Sequence, residues 1–423
     1  MRRFIHTADV HLGCHKSENL KKLEQNAFET IISECISRNA DFMLICGDFF
    51  HINIPDMETS IFAAKQLSRL KEKNIPAYVV YGSHDFSPVS KSMIDLLAAI
   101  GLVTKVTMSE SIDGKVRLKF VTDQRTGAKI VGMYGLKSGR DREIYQNLDT
   151  KFLENEAGLK IFLFHGALSE LTVEKYELDP MPISLLPRGF AYYAGGHLHK
   201  HSQETYQGYQ HIVYPGTPFA GHHSDIENNA KGTARGFVQV DFDEGGITSV
   251  DFIEIKGTEY EMIDIKCKNR DSISVNNELL ESIGRIEPKG KIVVLKLAGE
   301  MSTGKTADID VARARGEAIK GGALEVLVRT NQLASKEYSI TSVSGSNRAE
   351  IEANVFAENI GEVKLERGKL RGDAGVSLAK RLLSTLSDPK IADEKNDQYN
   401  ERIQSRALGE MEVVLDDTKV DKN

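Results

Sequence analysis

The sequence predicts an α/β fold: two sheets layered with helices, a small second α/β domain, and a helical C-terminal extension. Three observations predict it. Short apolar runs alternate with stretches of helical spacing through about residue 220, the pattern of an α/β layered domain. A shorter strand and helix alternation follows between Tyr260 and about Leu333. All 12 histidines fall between His6 and His223, so catalytic chemistry belongs to the first alternation.

Strand-length apolar runs occur at Arg3 to Ala8, Phe42 to Cys46, Ala77 to Tyr81, Lys160 to Phe164 and Ala191 to Ala194. Between them Leu20, Leu23, Ala27, Ile31 and Cys35 keep the spacing of one helix face, as do Ile61, Ala64, Leu67 and Leu70. Two hairpins are expected, Val116 to Tyr134 turning at Arg125-Thr126-Gly127 and Gly236 to Ile255 turning at Glu244-Gly245-Gly246. They suggest a second sheet packed on the first. The small domain reads strand, helix, strand, helix, strand over Met262 to Cys267, Val275 to Ile283, Lys291 to Leu297, Ile309 to Ile319 and Leu324 to Thr330. Helices follow at Asn347 to Ile360 and Val376 to Leu386, then a charged stretch from Asp388 that ends in Val413-Val414-Leu415-Asp416-Asp417. The expected domains are therefore 1–257, 258–338 and 339–423. A chain of 423 residues, 40% apolar and 27% charged, has material for two or three cores.

A formal net charge of −7 excludes nucleic-acid binding by bulk electrostatics, because phosphate contacts demand local Lys and Arg. Cys14, Cys35, Cys46 and Cys267 have no C-x-x-C spacing and read as reduced thiols of a cytoplasmic protein. The N-terminus runs straight into a strand with no signal-peptide core, and no apolar stretch is long enough to span a bilayer. The expectation is a soluble cytoplasmic protein with no membrane partner.

Each of the five runs ends in residues that bind metals. They are Asp9-Val10-His11, Gly47-Asp48, Ser83-His84-Asp85, His165-Gly166 and Gly196-His197-Leu198-His199. Ligands of α/β sheets collect outside the carboxyl ends of the strands, so these groups share one crevice. Mixed imidazole and carboxylate suits manganese, iron or zinc better than magnesium or calcium. One ion would not use so many ligands, and Asp48 is the natural bridge between two. Two ions roughly 3.5 to 4 Å apart clamp a phosphoryl group and activate water, which points to phosphoester hydrolysis. Taken singly, His165 reads as a core histidine and Asp48 as a loop acid; the ordered set of five decides. Ser83, His84 and Asp85 are not a hydrolase triad, since neighbours on an extended chain point to opposite faces.

The order D-x-H, G-D, G-N-H-D, H, G-H-x-H is the metallophosphoesterase (calcineurin-like) signature, and this sequence resembles it. His6-Thr7-Ala8-Asp9-Val10-His11-Leu12-Gly13 with Gly47-Asp48-Phe49-Phe50-His51 is similar to its DNA double-strand-break repair branch, the SbcD-type meiotic-recombination nuclease family. The resemblance is specific over residues 1 to about 225, looser over the small domain and architectural beyond about 340. It implies a two-sheet metallophosphoesterase sandwich with a small α/β capping domain over the DNA groove. It implies a manganese-dependent nuclease, a 3′–5′ exonuclease on double-stranded DNA and an endonuclease on single strands. Of two Mn2+ ions, one would be held by Asp9, His11, Asp48 and His199, the other by Asp48, Ser83, His165 and His197. The family has asparagine where Ser83 stands, and a hydroxyl is a shorter, weaker ligand. His84 would be the donor that stabilises the transition state, Asp85 would orient its ring, and His51 would touch substrate at the mouth.

The same resemblance implies an SbcC-type SMC-like ATPase bound by the C-terminal helices, where Val376, Ala379, Leu383 and Leu386 make an apolar seam. It also implies a homodimer, with Ile61, Leu67, Met93, Ile94 and Leu97 as interface candidates. Lys137-Ser138-Gly139-Arg140-Asp141-Arg142 and Lys200-His201 are candidate phosphate contacts. The rival enzyme is a cyclic-nucleotide or other small phosphodiesterase, which would share the ligands; a repair-complex subunit without catalysis ranks below it. A phosphoprotein phosphatase is disfavoured, because Gly47-Asp48 continues into Phe49-Phe50-His51 and not into Asp-Arg-Gly. Gly299-Glu300-Met301-Ser302-Thr303-Gly304-Lys305-Thr306 matches a P-loop, but no Walker-B-like acid follows; a turn into a helix is the preferred reading.

Overall fold

A computed structural model describes residues 1–86, 91–136, 141–171, 180–336, 350, 352, 356, 372–391 and 394–411. In order, the elements are β1 (Arg2–Thr7), α1 (Glu18–Ser37), β2 (Phe42–Cys46), α2 (Met57–Glu72), β3 (Ala77–Val80), α3 (Met93–Ala99), β4 (Thr104–Lys105), β5 (Ser109–Ile112) and β6 (Lys115–Leu118). Next come β7 (Val121–Thr122), β8 (Lys129–Met133), α4 (Asp141–Gln146), α5 (Thr150–Asn155), β9 (Lys160–His165), β10 (Tyr192–Gly196), β11 (Ser202–Tyr206), β12 (Tyr209–Tyr214) and α6 (His223–Ala230). The chain continues through β13 (Gly236–Asp243), β14 (Gly246–Glu254), β15 (Tyr260–Lys266), α7 (Ser272–Arg285), β16 (Ile292–Met301), α8 (Val311–Lys320), β17 (Glu325–Ser335), α9 (Gly372–Leu386) and α10 (Asn396–Glu410). It divides into two compact units, Met1–Ala334 and Ser335–Asn423.

The first unit is built on two six-stranded sheets, β14-β13-β1-β2-β3-β4 and β11-β12-β10-β9-β8-β7. The two-residue period of β2 shows how they stack. Phe42, Leu44 and Cys46 point into the layer between the sheets, where they meet Ile161, Leu163, Tyr192 and Ala194. Met43 and Ile45 point the other way, onto Phe28, Ile31 and Ile32 of α1 and Leu67 of α2. Burying both faces is what makes this strand read as an unbroken apolar run.

The hairpin expected at 236–255 is β13 paired antiparallel with β14. The one expected at 116–134 is only half formed: β7 pairs β8, while β6 turns back onto β5 in a separate two-stranded ribbon. Asp123 explains where the surviving turn closes, since its carboxylate accepts from the Thr126 N–H and hydroxyl. The small sheet has the order β15-β16-β17 with α7 and α8 over its own core. A shared apolar cluster joins it to the first domain, with Ile292, Val294 and Leu327 against Leu20, Ala27, Phe219, Ala220 and Ile226.

The P-loop match is a turn. Gly299 to Met301 still belong to β16, and Lys305 caps the short 3-10 turn Thr306–Asp308 by donating its N–H to Asp308. A Cβ on Gly304 would stand 2.1 Å from the Ser272 hydroxyl, so the loop is packed shut against α7. Of the candidate interface residues, Leu67, Ile94 and Leu97 are core and Ile61 is exposed. In the second unit α9 packs on α10, with Leu383 and Leu386 of the seam exposed. Residues 137–140 of the basic loop, most of the helix expected at 347–360 and the 413–417 segment lie outside the described residues.

Candidate metal centre

The two sheets end side by side at one corner, and backbone hydrogen bonds hold their loops together. After β1 and β2, which run parallel, the Asp9 N–H donates to the Gly47 carbonyl at 3.1 Å, His11 to Asp48 at 2.9 Å and Leu12 to Phe49 at 3.0 Å. In the second sheet His165 and Gly196 are register partners. The His197 N–H then crosses between sheets to both carboxylate oxygens of Asp9, 3.0 Å each. Gly196 makes the approach possible: a Cβ there would lie 1.8 Å from the Cys46 carbonyl oxygen. Asp9, His11, Asp48 and His197 all have positive φ, 51°, 50°, 46° and 95°, a region that costs side-chain-bearing residues energy. The corner is strained where its candidate ligands sit.

Asp9, His11, Asp48 and His165 form a buried floor, at most 3% exposed. The Nε2 atoms of His11 and His199 face each other at 3.2 Å. His11 Nε2 lies 3.8 Å from an Asp48 oxygen, and His165 Nε2 lies 3.2 Å from the same oxygen. The His165 and His197 rings are 5.2 Å apart. Two outer partners fix which nitrogens face inward: His199 Nδ1 bonds Asp225 at 2.7 Å and His165 Nδ1 bonds the Cys46 carbonyl at 3.0 Å. His199 Nε2 is thereby turned toward His11 Nε2 and His165 Nε2 toward an Asp48 oxygen, contacts that positive charge between them would relieve. Asp9, His11 and His199 form one group able to hold a cation, and Asp9, Asp48 and His165 another. The residues present fit a metal site.

The electrostatics agree. Burial, partly opposed by His165 and His199, raises Asp9 to about 6. Burial disfavours the His165 imidazolium, yet Asp48 outweighs it and lifts His165 to about 10. Asp48, which burial alone would raise, is held well below the usual carboxylate range by His165 and His11. Burial pushes His11 far down and His197 to about 3, leaving both neutral, the state in which an imidazole can ligate a cation.

The third loop needs one correction. Asp85 does not orient the His84 ring: His84 Nδ1 bonds the His51 carbonyl at 2.6 Å. Asp85, fully buried, instead accepts the N–H groups of Phe49, Phe50 and Gly82 at 3.0, 2.9 and 3.2 Å. It braces the loop that carries Asp48, because three converging donors outcompete one ring. The His84 N–H donates to Asp48 at 2.7 Å, and the Ser83 hydroxyl donates to the other Asp48 oxygen at 3.3 Å. His51 stands beside His84 with ring centroids 4.9 Å apart. His201 faces inward, bonded to the Tyr214 carbonyl and stacked on Phe252, and so leaves Lys200 as the exposed member of that pair.

Sequence reasoning missed three residues. Asp225 holds His199, Arg235 donates to Asp225 and to the His199 carbonyl, and the His222 ring stacks on His199 at 5.0 Å and 9°. The only signal was the helix start His222-His223-Ser224-Asp225, whose third helical residue caps the His222 N–H.

With this corner in view, comparison with known proteins defines the class. Residues 2–201 match the family model for calcineurin-like phosphoesterases, and the chain carries a calcineurin-like metallophosphoesterase domain. Within that class it is similar to two curated archaeal proteins named DNA double-strand break repair protein Mre11. The one from Methanopyrus kandleri is 29% identical over 255 residues, 58% of this chain and 55% of that protein. The one from Sulfolobus acidocaldarius is 27% identical over 233 residues, 54% of this chain and 58% of that protein. An uncharacterized metallophosphoesterase of Bacillus subtilis, YhaO, is 25% identical over 52% of this chain and 53% of its own length. The chain thus aligns with little more than half the length of these relatives. Among the described residues no helix is long and apolar enough to cross a membrane.

Proposed function

We propose that the chain is a metal-dependent DNA nuclease of double-strand-break repair, hydrolysing phosphodiesters with two manganese ions. The observation that carries the reading is the corner itself, where carboxylates and imidazoles from five strand ends converge beneath an open mouth. Asp9, His11, Asp48 and His199 would hold one ion, and Asp48, Ser83, His165 and His197 the other. Bound there, two ions supply charge to a phosphoryl group and lower the pKa of an attacking water.

The protein's own groups do the rest. Asp225 and the Cys46 carbonyl keep two imidazoles in one tautomer. The His51 carbonyl holds His84 Nδ1, so that Nε2 is the atom left to face substrate and to serve as proton donor to the leaving oxygen. His51 lies where substrate enters, beside that ring. The names of the archaeal relatives favour DNA as substrate; an SbcC-type ATPase partner and a homodimer acting in the cytoplasm are what the resemblance of the sequence implies. Digestion of 3′-labelled duplex and single-stranded DNA with Mn2+, Mg2+ or EDTA tests the reading. Shortening from the 3′ end that needs Mn2+ supports it; cyclic-nucleotide turnover without DNA cleavage replaces it with the small phosphodiesterase.

A further inference from the structure

Helix α6 is eight residues long, about 12 Å, and it touches two things at once. Its N-terminal end forms one wall of the metal corner, through the His222 ring stacked on His199 and the Asp225 carboxylate on His199 Nδ1. Its other residues grip the small sheet. Glu227, 8% exposed, accepts Lys296 of β16 at 2.5 Å and Lys231 at 2.6 Å, and lies 3.7 Å from the Arg329 guanidinium of β17. Asn229, 7% exposed, accepts Arg235 and donates to the Tyr260 hydroxyl of β15 at 3.1 Å. Arg235 in turn holds both Asp225 and the carbonyl of His199. Between these two polar grips Ile226 packs against Ile292, Val294 and Leu327 of the small sheet.

We propose that α6 couples the small sheet to the metal centre, with Glu227, Asn229 and Arg235 as positioning residues that transmit the sheet's placement to the ligand His199. The inference rests on the metal-site reading and adds a regulated element to it. A helix this short moves as one body, so whatever shifts β16 and β17 shifts Asp225 as well. Asp225 aims His199 Nε2 at His11 across 3.2 Å, and a displacement of about an ångström there is enough to spoil ligation. The polar contacts have discrete made and broken states, which is what lets a small movement switch a site.

Reciprocity supplies the test, because coupling free energy acts in both directions. Mn2+ affinity is measured by titration calorimetry on the full chain and on Lys296→Met, Glu227→Gln, Asp225→Asn and Lys296→Met/Asp225→Asn, with metal-free unfolding midpoints alongside. Lys296→Met and Glu227→Gln are expected to weaken one of the two ions about 3- to 10-fold, and Asp225→Asn about 10- to 100-fold. The double variant should bind no more weakly than Asp225→Asn alone, since the path is already cut. Mn2+ should also slow amide exchange in residues 292–301 of the wild type and not in Glu227→Gln. Wild-type affinity in both single variants, or losses that add in the double variant, overturns the coupling. Should Lys296→Met fail to fold, Glu227→Gln and its exchange pattern decide alone. Failure of the wild-type chain to bind Mn2+ at all removes the metal site itself, a distinct result.

Discussion

Replacing Asp85 by alanine separates a brace from a ring-orienting acid. The side chain is fully buried and accepts three N–H groups, from Phe49, Phe50 and Gly82. A buried donor left without a partner costs roughly 1 to 3 kcal/mol, so three orphaned donors set a range of about 3 to 9 kcal/mol. A water entering the vacated space recovers part of that, and a loss of about 4 kcal/mol is expected. Set against a typical domain stability of ~5 to 15 kcal/mol, this is a large fraction. Asp85→Asn keeps the volume and one accepting oxygen, so about 1 to 2 kcal/mol should be lost. Urea unfolding in EDTA measures both without interference from metal. Mn2+ affinity should fall in parallel, because the braced loop carries Asp48. A stability change under about 1 kcal/mol in Asp85→Ala, joined to a large fall in turnover, would refute the brace and restore Asp85 as the partner of His84.

Asp48→Asn should abolish nuclease activity and metal retention together, checked by assay and metal analysis. Unfolding midpoints in EDTA should fall below those of the wild type, since an amide can still accept the His84 N–H but the buried carboxylate that holds His165 is lost. Ser83→Asn should lower the Mn2+ concentration for half-maximal activity and Ser83→Ala raise it. His84→Ala should cut turnover with little effect on that concentration; a Ser83→Ala enzyme that saturating Mn2+ cannot rescue would sink the ligand assignment. Glu24, 2% exposed and bonded to the Gly13 N–H, is raised by burial from its ordinary 4.5 to about 8. Its folded pKa lies above the unfolded one, so the stability it contributes is full below pH 4.5 and is lost as pH climbs to about 8, a swing of roughly 3 to 5 kcal/mol. Glu24→Gln should flatten urea-unfolding stability across that window.

The strands and their polar ends were legible because a strand buried on both faces has few ways to be written. Phe42 to Cys46 and Ile161 to Phe164 are unbroken apolar runs, and the strands observed there, Phe42–Cys46 and Lys160–His165, extend them by at most one residue at either end. The ligand order was legible for a related reason: parallel strands deliver their carboxyl ends to one place whatever lies between. Asp85 was misjudged because adjacency to His84 says nothing about direction, and the competing donors come from residues some 35 positions earlier. Asp225 and Arg235 were invisible for the same cause, as their meeting with His199 depends on how α6 lies on the small sheet. The 116–134 hairpin failed at Leu118 to Phe120, where the chain passes from one ribbon to another and apolar character alone does not choose the partner.

A metal corner of this kind could serve structure or catalysis, and its depth profile distinguishes the two. Structural sites close their ligand shell, whereas catalytic sites leave positions open. Here the floor is buried, but the rim is not: His51 and His84 are half-buried and His222 is exposed, all on the same side of His11. Burial and neighbouring imidazoles lower His51 to about 4, which leaves it uncharged and able to accept a hydrogen bond at neutral pH. The cost of the floor points the same way. Backbone strain at four candidate ligands and carboxylates removed from water subtract from stability, and a structural metal alone would not require a mouth above them. Strain concentrated beneath an open rim of imidazoles is what a site needs when its remaining ligand positions belong to a substrate.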